Sequence, residues 1–244
     1  MTRTEHRTLV DKQFGSAAAR YVTSPVHASG PDLEQLVGIV AGRSEARALD
    51  LGCGGGHASF HVAPHGREVV AYDPSPDMLS AVAAEAARRG IANIATERGT
   101  AESLPFADAS FDLVLTRFSA HHWRDVEAAL REARRVMKTG GQAVLMDAVA
   151  PTSPLLDTYL QSVELLRDPS HVRDYTVSEW VEWATQAGFM VTGVTRRRLP
   201  LEFAPWAARQ RVPEVRANAI RDLFSVVSEE VRRHFEVRDN DDFT

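Results

Sequence analysis

The sequence predicts an α/β fold built on a doubly wound, mostly parallel sheet, and three observations carry that expectation. Five apolar runs recur between residues 47 and 150, separated by stretches with helical spacing. Three of the runs, EVVAYD (68–73), FDLVLTRFSA (111–120) and QAVLMDAVA (142–150), are nearly continuous rather than alternating. Strands read that way when helices cover both faces of a parallel sheet. The first run, RALDLG (47–52), opens into the glycine-dense turn of LDLGCGGGHASF (49–60), which is how α/β proteins meet a nucleotide-like ligand at a strand end.

Taken in chain order, Lys12 to Gly30 is small and polar, with Phe14 and Tyr21 as isolated aromatics. Pro31 to Val40 reads as a helix that buries Leu33, Leu36, Val37 and Val40. Ser75 caps a helix with Pro76 at its first position, and Arg88-Arg89-Gly90 ends it. NIATERG (93–99) is a weaker third strand. DVEAALREARRVMK places Val126, Leu130, Ala133 and Met137 on one helical stripe, with Gly140-Gly141 as the stop. Val177 to Ala187 is a helix ending at Gly188, and FMVTGVTRRRL (189–199) is expected to be a sixth strand. Arg196-Arg197-Arg198 would then alternate on an edge strand. Two or three helices carrying Trp206, Phe224 and Phe235 follow Pro200.

Composition narrows the function. A net charge of −5 argues against a nucleic-acid binder, which usually shows a basic face. The one cysteine, Cys53, excludes an intramolecular disulfide and suggests a reducing compartment. No apolar run reaches the roughly 20 residues that span a membrane. With a charged N-terminus unlike a signal peptide, the expected location is the cytoplasm. Cys53 lies in the glycine turn, where a nucleophile is conceivable, but without an evident activating partner it reads as a small residue fitting a crowded turn.

The neighbours of the turn discriminate between ligands. Asp50, two residues before the first glycine, is awkward for a pyrophosphate but suits an ammonium group. Asp73, ending the second strand, can hydrogen-bond ribose hydroxyls in nicotinamide and S-adenosylmethionine (SAM) sites alike. GTAESLPFADASFDLV after the third strand can flank an adenine, with Ala101 and Glu102 near its edge.

LDLGCGGGH, AYDPSPDML, AESLPFADASFDLVLTRFSAHHW and ALREARRVMKTGG, in that order, resemble the class I SAM-dependent methyltransferases. The likeness runs from about Val10 to Phe189 and is nearest to the group containing the ubiquinone/menaquinone-biosynthesis C-methyltransferases. It implies a Rossmann-like fold, with residues 1–199 as the SAM-binding domain, including an N-terminal helical lid (1–42). Residues 200–244 would be a helical cap or substrate region, with or without the last sheet strand. Carried over by position, the resemblance assigns Asp50, Gly52, Gly54 and Gly56 to the amino-acid part of SAM and Asp73 to its ribose. Met78, Ala101 and Glu102 fall at the adenine, and Arg117 and Ser119 beside the sulfonium. Thr100 replaces an acid common in the family, and Thr139 a usual proline. Only Phe235 to Arg238 could supply the family's antiparallel last strand.

Methyl transfer leaves the protein to align, desolvate and sometimes deprotonate. His121 and His122 after the fourth strand, and Asp147 after the fifth, are the candidate catalytic groups; the histidines could equally cap the following helix, and Asp147 could serve only the sheet end. Phe14 and Tyr21 could fold over the donor, or dock an N-terminal helix. Trp123, His171, Arg173 and Tyr175 could line an acceptor pocket. No histidine pair has metal-ligand spacing with supporting ligands, so no metal is expected.

The leading expectation is a methyltransferase acting on a small aromatic or heteroaromatic metabolite, without nucleic-acid or membrane partners. C-methylation of a quinone precursor, N-methylation of a fused heterocycle such as an azapteridine, and O-methylation remain open, as does the oligomeric state. An NAD-dependent oxidoreductase and a non-catalytic SAM-binding module are the competing classes.

Overall fold

The apolar runs become strands because each can bury both of its faces. In a computed structural model that describes residues 3–14, 28–238 and 242–244, the first five are β1 (Arg47–Leu51), β2 (Glu68–Asp73), β3 (Ile94–Arg98), β4 (Phe111–Arg117) and β5 (Met137–Met146). They pair in parallel in the order β3-β2-β1-β4-β5. The chain therefore winds outward from β1 in one direction and returns to start β4 on the other side. A second, two-stranded ladder joins β6 (Val149–Ala150) to β7 (Tyr175–Thr176).

The helices are α1 (Arg3–Phe14), α2 (Pro31–Val40), α3 (His57–Val62), α4 (Pro76–Arg88), α5 (Val126–Val136), α6 (Pro154–Arg167), α7 (Val177–Gln186), α8 (Phe203–Arg209), α9 (Glu214–Val226) and α10 (Glu229–His234). Side chains alternate across the central strands as a period of two requires. Leu49, Leu51, Val70, Tyr72 and Val114 face α5 and α7. Ala48, Val69, Leu113 and Leu115 face Leu33, Leu36 and Val40 of α2 and Val62 of α3. The pairing is irregular between Phe111 and Leu113, which face Met137 and Gln142 of β5, and Phe111 lies on the α5 side, opposite to Leu113. A separate cluster joins Val163 of α6 to Phe203 and Trp206 of α8, Ile220 and Phe224 of α9, and Phe243.

Several local expectations hold. Ser75 caps α4, its Oγ accepting from the Met78 N–H at 3.5 Å, and Gly90 past the helix end has a φ of +70°. Leu33, Leu36 and Val40 of α2 are buried, while Val37 is half-buried.

Three expectations are corrected. The α5 stripe includes Val126, Leu130 and Ala133, but the helix ends at Val136 and Met137 already belongs to β5. Gly140 and Gly141 therefore lie inside the strand. The chain turns extended early because Met137 pairs with Phe111, and the Lys138 ammonium holds both Asp112 carboxylate oxygens at 2.9 Å. A Cβ on Gly141 would stand 2.7 Å from Met137 Cγ and 3.1 Å from the Asp112 carbonyl, so the glycine relieves crowding where the strands meet. Residues 189–199 form no strand, and Met190 and Val194 are exposed. That stretch instead crosses α2, with Arg197 donating to Gln35 at 2.7 Å, so Arg196 to Arg198 are not on an edge strand. Phe235 to Arg238 is no strand either; Leu201 and Phe243 form one isolated antiparallel bridge. Helix α6 is an element that the sequence reading omitted.

Gly56 supplies the sharpest packing test. Its φ is +77°, and a Cβ there would lie 2.8 Å from Val82 Cγ2, whereas Gly42, with a φ of +80°, has open space around it. Gly42→Ala should cost about 1 kcal/mol of backbone strain, and Gly56→Ala about 1–3 kcal/mol more through overpacking. Urea unfolding of both variants reads the difference.

Candidate functional site

The glycine turn is built by backbone bonds to the neighbouring strand. The Gly52 and Cys53 N–H groups both donate to the Tyr72 carbonyl, at 2.8 and 3.1 Å, and the Gly56 N–H donates to the Cys53 carbonyl at 2.8 Å. Positive φ values at Gly52, Gly54 and Gly56 allow this path. A Cβ on Gly52 would fall 1.7 Å from Ser119 Oγ, so the ends of β1 and β4 touch through a glycine. Ser119 is fixed in turn by the Trp123 indole N–H, which donates to it at 3.1 Å.

Two acids flank the turn. Asp50 is 1% exposed and accepts from the Ser59 hydroxyl at 2.6 Å. Burial, with Asp73 adding like charge, outweighs that bond and raises its carboxyl to about 6. Asp73 accepts the Gly54 N–H through one oxygen and the Ser75 N–H through the other, each at 2.9 Å, and so ties the turn to the start of α4. Burial and the same two acids push the Cys53 thiol well above its usual range, which removes it as a thiolate nucleophile.

A cavity of about 280 Å³ opens over this turn. It brings together Asp50, Gly52, Gly54, Asp73, Met78, Ala101, Glu102, Arg117, Ser119, His122 and Trp123 of the residues singled out from the sequence. Gly56 stays behind it, packed on Val82. Glu102 accepts from the Arg124 N–H at 3.0 Å. Arg117 turns toward α2, pairing with Asp32 at 2.5 Å and lying 4.7 Å from the Phe118 ring centroid. Burial would raise the Asp32 carboxyl, but the guanidinium overrides it and holds it below its usual value.

His6 and Val10 of α1 also line the cavity, and neither was read from the sequence. Nothing in their local pattern marks them; only the packing of α1 brings them there. Gly99 and Tyr72 were missed as well. A Cβ on Gly99 would collide with the Tyr72 hydroxyl, which reaches the Ser103 carbonyl at 3.3 Å and anchors the AESLPF loop. Tyr21 lies outside the described residues, as does the side chain of Phe14.

The remaining candidates gather beside the cavity rather than in it. His121 Nδ1 donates to Asp147 at 2.6 Å, and its ring centroid is 4.3 Å from His122 and 5.7 Å from His171. Although burial opposes its charge, Asp147 raises His121 to about 9, and that charge with burial keeps His122 and His171 neutral. His122 Nδ1 lies 3.2 Å from the Ser170 carbonyl, so Nδ1 carries the proton. Asp174 completes the group: its carboxylate, with His121 and Asp147, offers atoms all within 4.8 Å of one another. Linear spacing did not reveal this trio because its members come from three separate segments. Arg173 pairs with Asp157 and Glu179, and Tyr175 packs edge-on against Trp180 and Trp183. Neither lines the cavity.

A glycine turn at the point where the strand order reverses, with an acid one residue before the end of β1 and another ending β2, defines an α/β protein holding a nucleoside-type cofactor at its topological switch point. Comparison with known proteins gives the family. Residues 49–145 match the methyltransferase domain family. The chain is 47% identical over 189 residues to YafE of Escherichia coli K12, covering 78% of this chain and 91% of that protein. It is 35% identical over 222 residues to the uncharacterized methyltransferase YcgJ of Bacillus subtilis, covering 91% and 88%. The crystal structure of YcgJ superposes with a TM-score of 0.83, covering 87% of this chain and 93% of that one at 34% identity. The ubiquinone/menaquinone biosynthesis C-methyltransferase UbiE of Rhizobium meliloti is 33% identical over 165 residues, 64% of each chain. The chain belongs to the class I SAM-dependent methyltransferases, and SAM is its cofactor.

The cavity fits that cofactor. Asp50 is a buried carboxylate that a ligand ammonium would offset, and a Cβ on Gly54 would point into space holding no protein atom within 4 Å. No helix among the described residues is long and apolar enough to cross a membrane.

The raised Asp50 carboxyl has a testable cost. Its folded value of about 6 exceeds the unfolded 3.8, so the native state keeps the proton longer. Its contribution to stability is full below pH 3.8 and lost as pH rises through about 6, a difference of about 3 kcal/mol. Asp50→Asn should therefore raise the urea midpoint of the ligand-free protein at pH 7.5, and the gain should shrink toward zero near pH 4. Unfolding curves across that range check it.

Proposed function

We propose that this methyltransferase acts on a small planar aromatic acceptor, bound in the cavity between the glycine turn and the end of β4. The carrying observation is that one cavity runs from two buried acids to an imidazole and an indole, His122 and Trp123. A flat ring system suits such a wall. Helix α1 over the opening and the net charge of −5 support a small molecule rather than a nucleic acid. The likeness to UbiE favours a quinone precursor methylated at carbon.

When bound, SAM supplies an electrophilic methyl group on a sulfonium. The chain's own residues do the rest. Asp50 holds the ammonium, Asp73 the ribose hydroxyls, and Met78, Ala101 and Glu102 the adenine. Gly52 and Gly54 let the backbone approach, and Gly56 lets the turn pack on Val82 behind them. Arg117 and Ser119 form the wall at the reacting end. Neutral His122, whose ring lines this wall, offers a hydrogen-bonding face to a hydroxyl or ring N–H of the substrate. Its low basicity suits orienting that group more than removing a proton from it. His121 and Asp147 fix His122 from behind, and residues 200–244 serve as a helical cap.

Radiolabelled SAM offered with hydroquinones, phenols, fused nitrogen heterocycles, RNA and protein tests the acceptor class. Label should enter a small aromatic, hydroquinones foremost, and transfer only to a macromolecule would overturn the reading. Calorimetry should show S-adenosylhomocysteine binding and none of NAD. Asp73→Ala should weaken that binding by about tenfold or more, the loss of a charge-assisted hydrogen bond. His122→Gln should lower kcat by about 10- to 100-fold while leaving the S-adenosylhomocysteine affinity unchanged.

A further inference from the structure

Beside the cofactor cavity, three segments converge on a buried polar centre. His121 comes from the turn after β4, Asp147 from the residue after β5, and Asp174 from the loop that precedes β7. Their side chains are 17%, 3% and 2% exposed. Asp147 is satisfied: Oδ1 accepts from His121 Nδ1 and from the Ala148 N–H, and Oδ2 from the His121 N–H. Asp174 is not. Its Oδ2 is buried with no hydrogen-bond partner and lies 3.8 Å from His171 Nε2, which donates to Gln161 at 2.9 Å instead. An unmet carboxylate oxygen at that depth is costly unless a proton or a metal cation completes it. The nearby Glu164 and Arg167 are paired at 3.2 Å and add no net charge.

We propose that His121, Asp147 and Asp174 bind one divalent transition-metal ion, with zinc as the best fit. One imidazole and two carboxylates form a borderline donor set that suits zinc or manganese better than magnesium or calcium. Three protein ligands with one partly exposed member match sites that keep a position for water. The donors lie within 4.8 Å of one another, and a zinc tetrahedron needs edges of about 3.3 Å. Binding therefore displaces the proton that makes His121 a cation, since only a neutral imidazole ligates, and draws the three segments together by about 1.5 Å at most. That clamps the turn carrying His122 to the 168–174 loop, which already receives the His122 ring at Ser170.

The test uses the full chain, stripped with chelator and titrated with ZnCl₂ by calorimetry. One equivalent should bind with a Kd of about 10 µM or tighter. Co²⁺ in the same site should give visible absorption of a four- or five-coordinate ion. Asp174→Asn keeps the shape of the side chain and should weaken Zn²⁺ by at least about tenfold, as should Asp147→Asn. His65→Asn, remote from the cluster, should change nothing. Circular dichroism, and S-adenosylhomocysteine binding by Asp174→Asn, report that the fold survives. No binding, weak binding spread over several equivalents, or a titration unaltered by Asp174→Asn would overturn the site. The proposal is independent of the acceptor assignment, because failure to transfer methyl groups leaves the zinc titration untouched.

Discussion

The contact between Gly52 and Ser119 is the constraint on which the rest depends. β1 is the central strand, and the chain leaves it toward β2 and β3 before returning to form β4 on its other side. At that reversal the connections diverge, and a cleft opens at the strand ends. The two ends still have to meet for the sheet to stay paired beneath them. They meet where a side chain on residue 52 would stand 1.7 Å from Ser119 Oγ. Glycine there lets β1 and β4 remain in register from Ala48 with Leu113 to Asp50 with Leu115. It also fixes Ser119, and with it Trp123, on the cavity wall.

Electrostatics follow from that geometry. Three strands bring an acid to their carboxyl ends: Asp50 within β1 and Asp73 ending β2 on the cavity wall, and Asp147 just after β5 beside it. Strand interiors are apolar because both sheet faces are covered, so ionisable groups are pushed to the strand ends, where their charges crowd. The fold partly resolves this crowding with its own donors. Asp73 is spent on two backbone N–H groups and Asp147 on His121. Asp50 has the Ser59 hydroxyl, and burial keeps its carboxyl raised to about 6. The destabilisation held at Asp50 is therefore the cost of burying one acid beside a second, Asp73.

How much was legible in the sequence depends on whether a feature is local. β2 was read at its true ends because Val69 to Tyr72 is an uninterrupted buried run between Gly66 and an acid. The cap at Ser75 and the stop at Gly90 were readable because the conformation of each is set within four residues. β5 was misplaced because Gly140-Gly141 looks like a helix stop in isolation. The decisive facts, Met137 pairing with Phe111 and Lys138 with Asp112, are long-range. The run at 189–199 has a strand's composition, yet composition cannot supply a neighbour to pair with. In the cavity, the residues of the glycine turn and of the 101–102 and 117–123 loops were legible from motif order. His6 and Val10 were not, since a helix far from β4 in the chain carries them.

The histidine cluster shows the same boundary from the other side. Adjacent His121 and His122 look equivalent in sequence, and adjacency alone sends their side chains in different directions. Burial is similar for both, so the partner decides their chemistry. Asp147 makes His121 a cation, and that charge, 4.3 Å away between ring centroids, helps hold His122 neutral. Two rings of one type thus acquire opposite charge states because one strand end lies beside one of them and a loop carbonyl beside the other. Only the neutral ring reaches the cavity. A neutral imidazole on the cavity wall and a charged one behind it are the products of the β4–β5 pairing, and they follow from placing Asp147 one residue beyond the last sheet position.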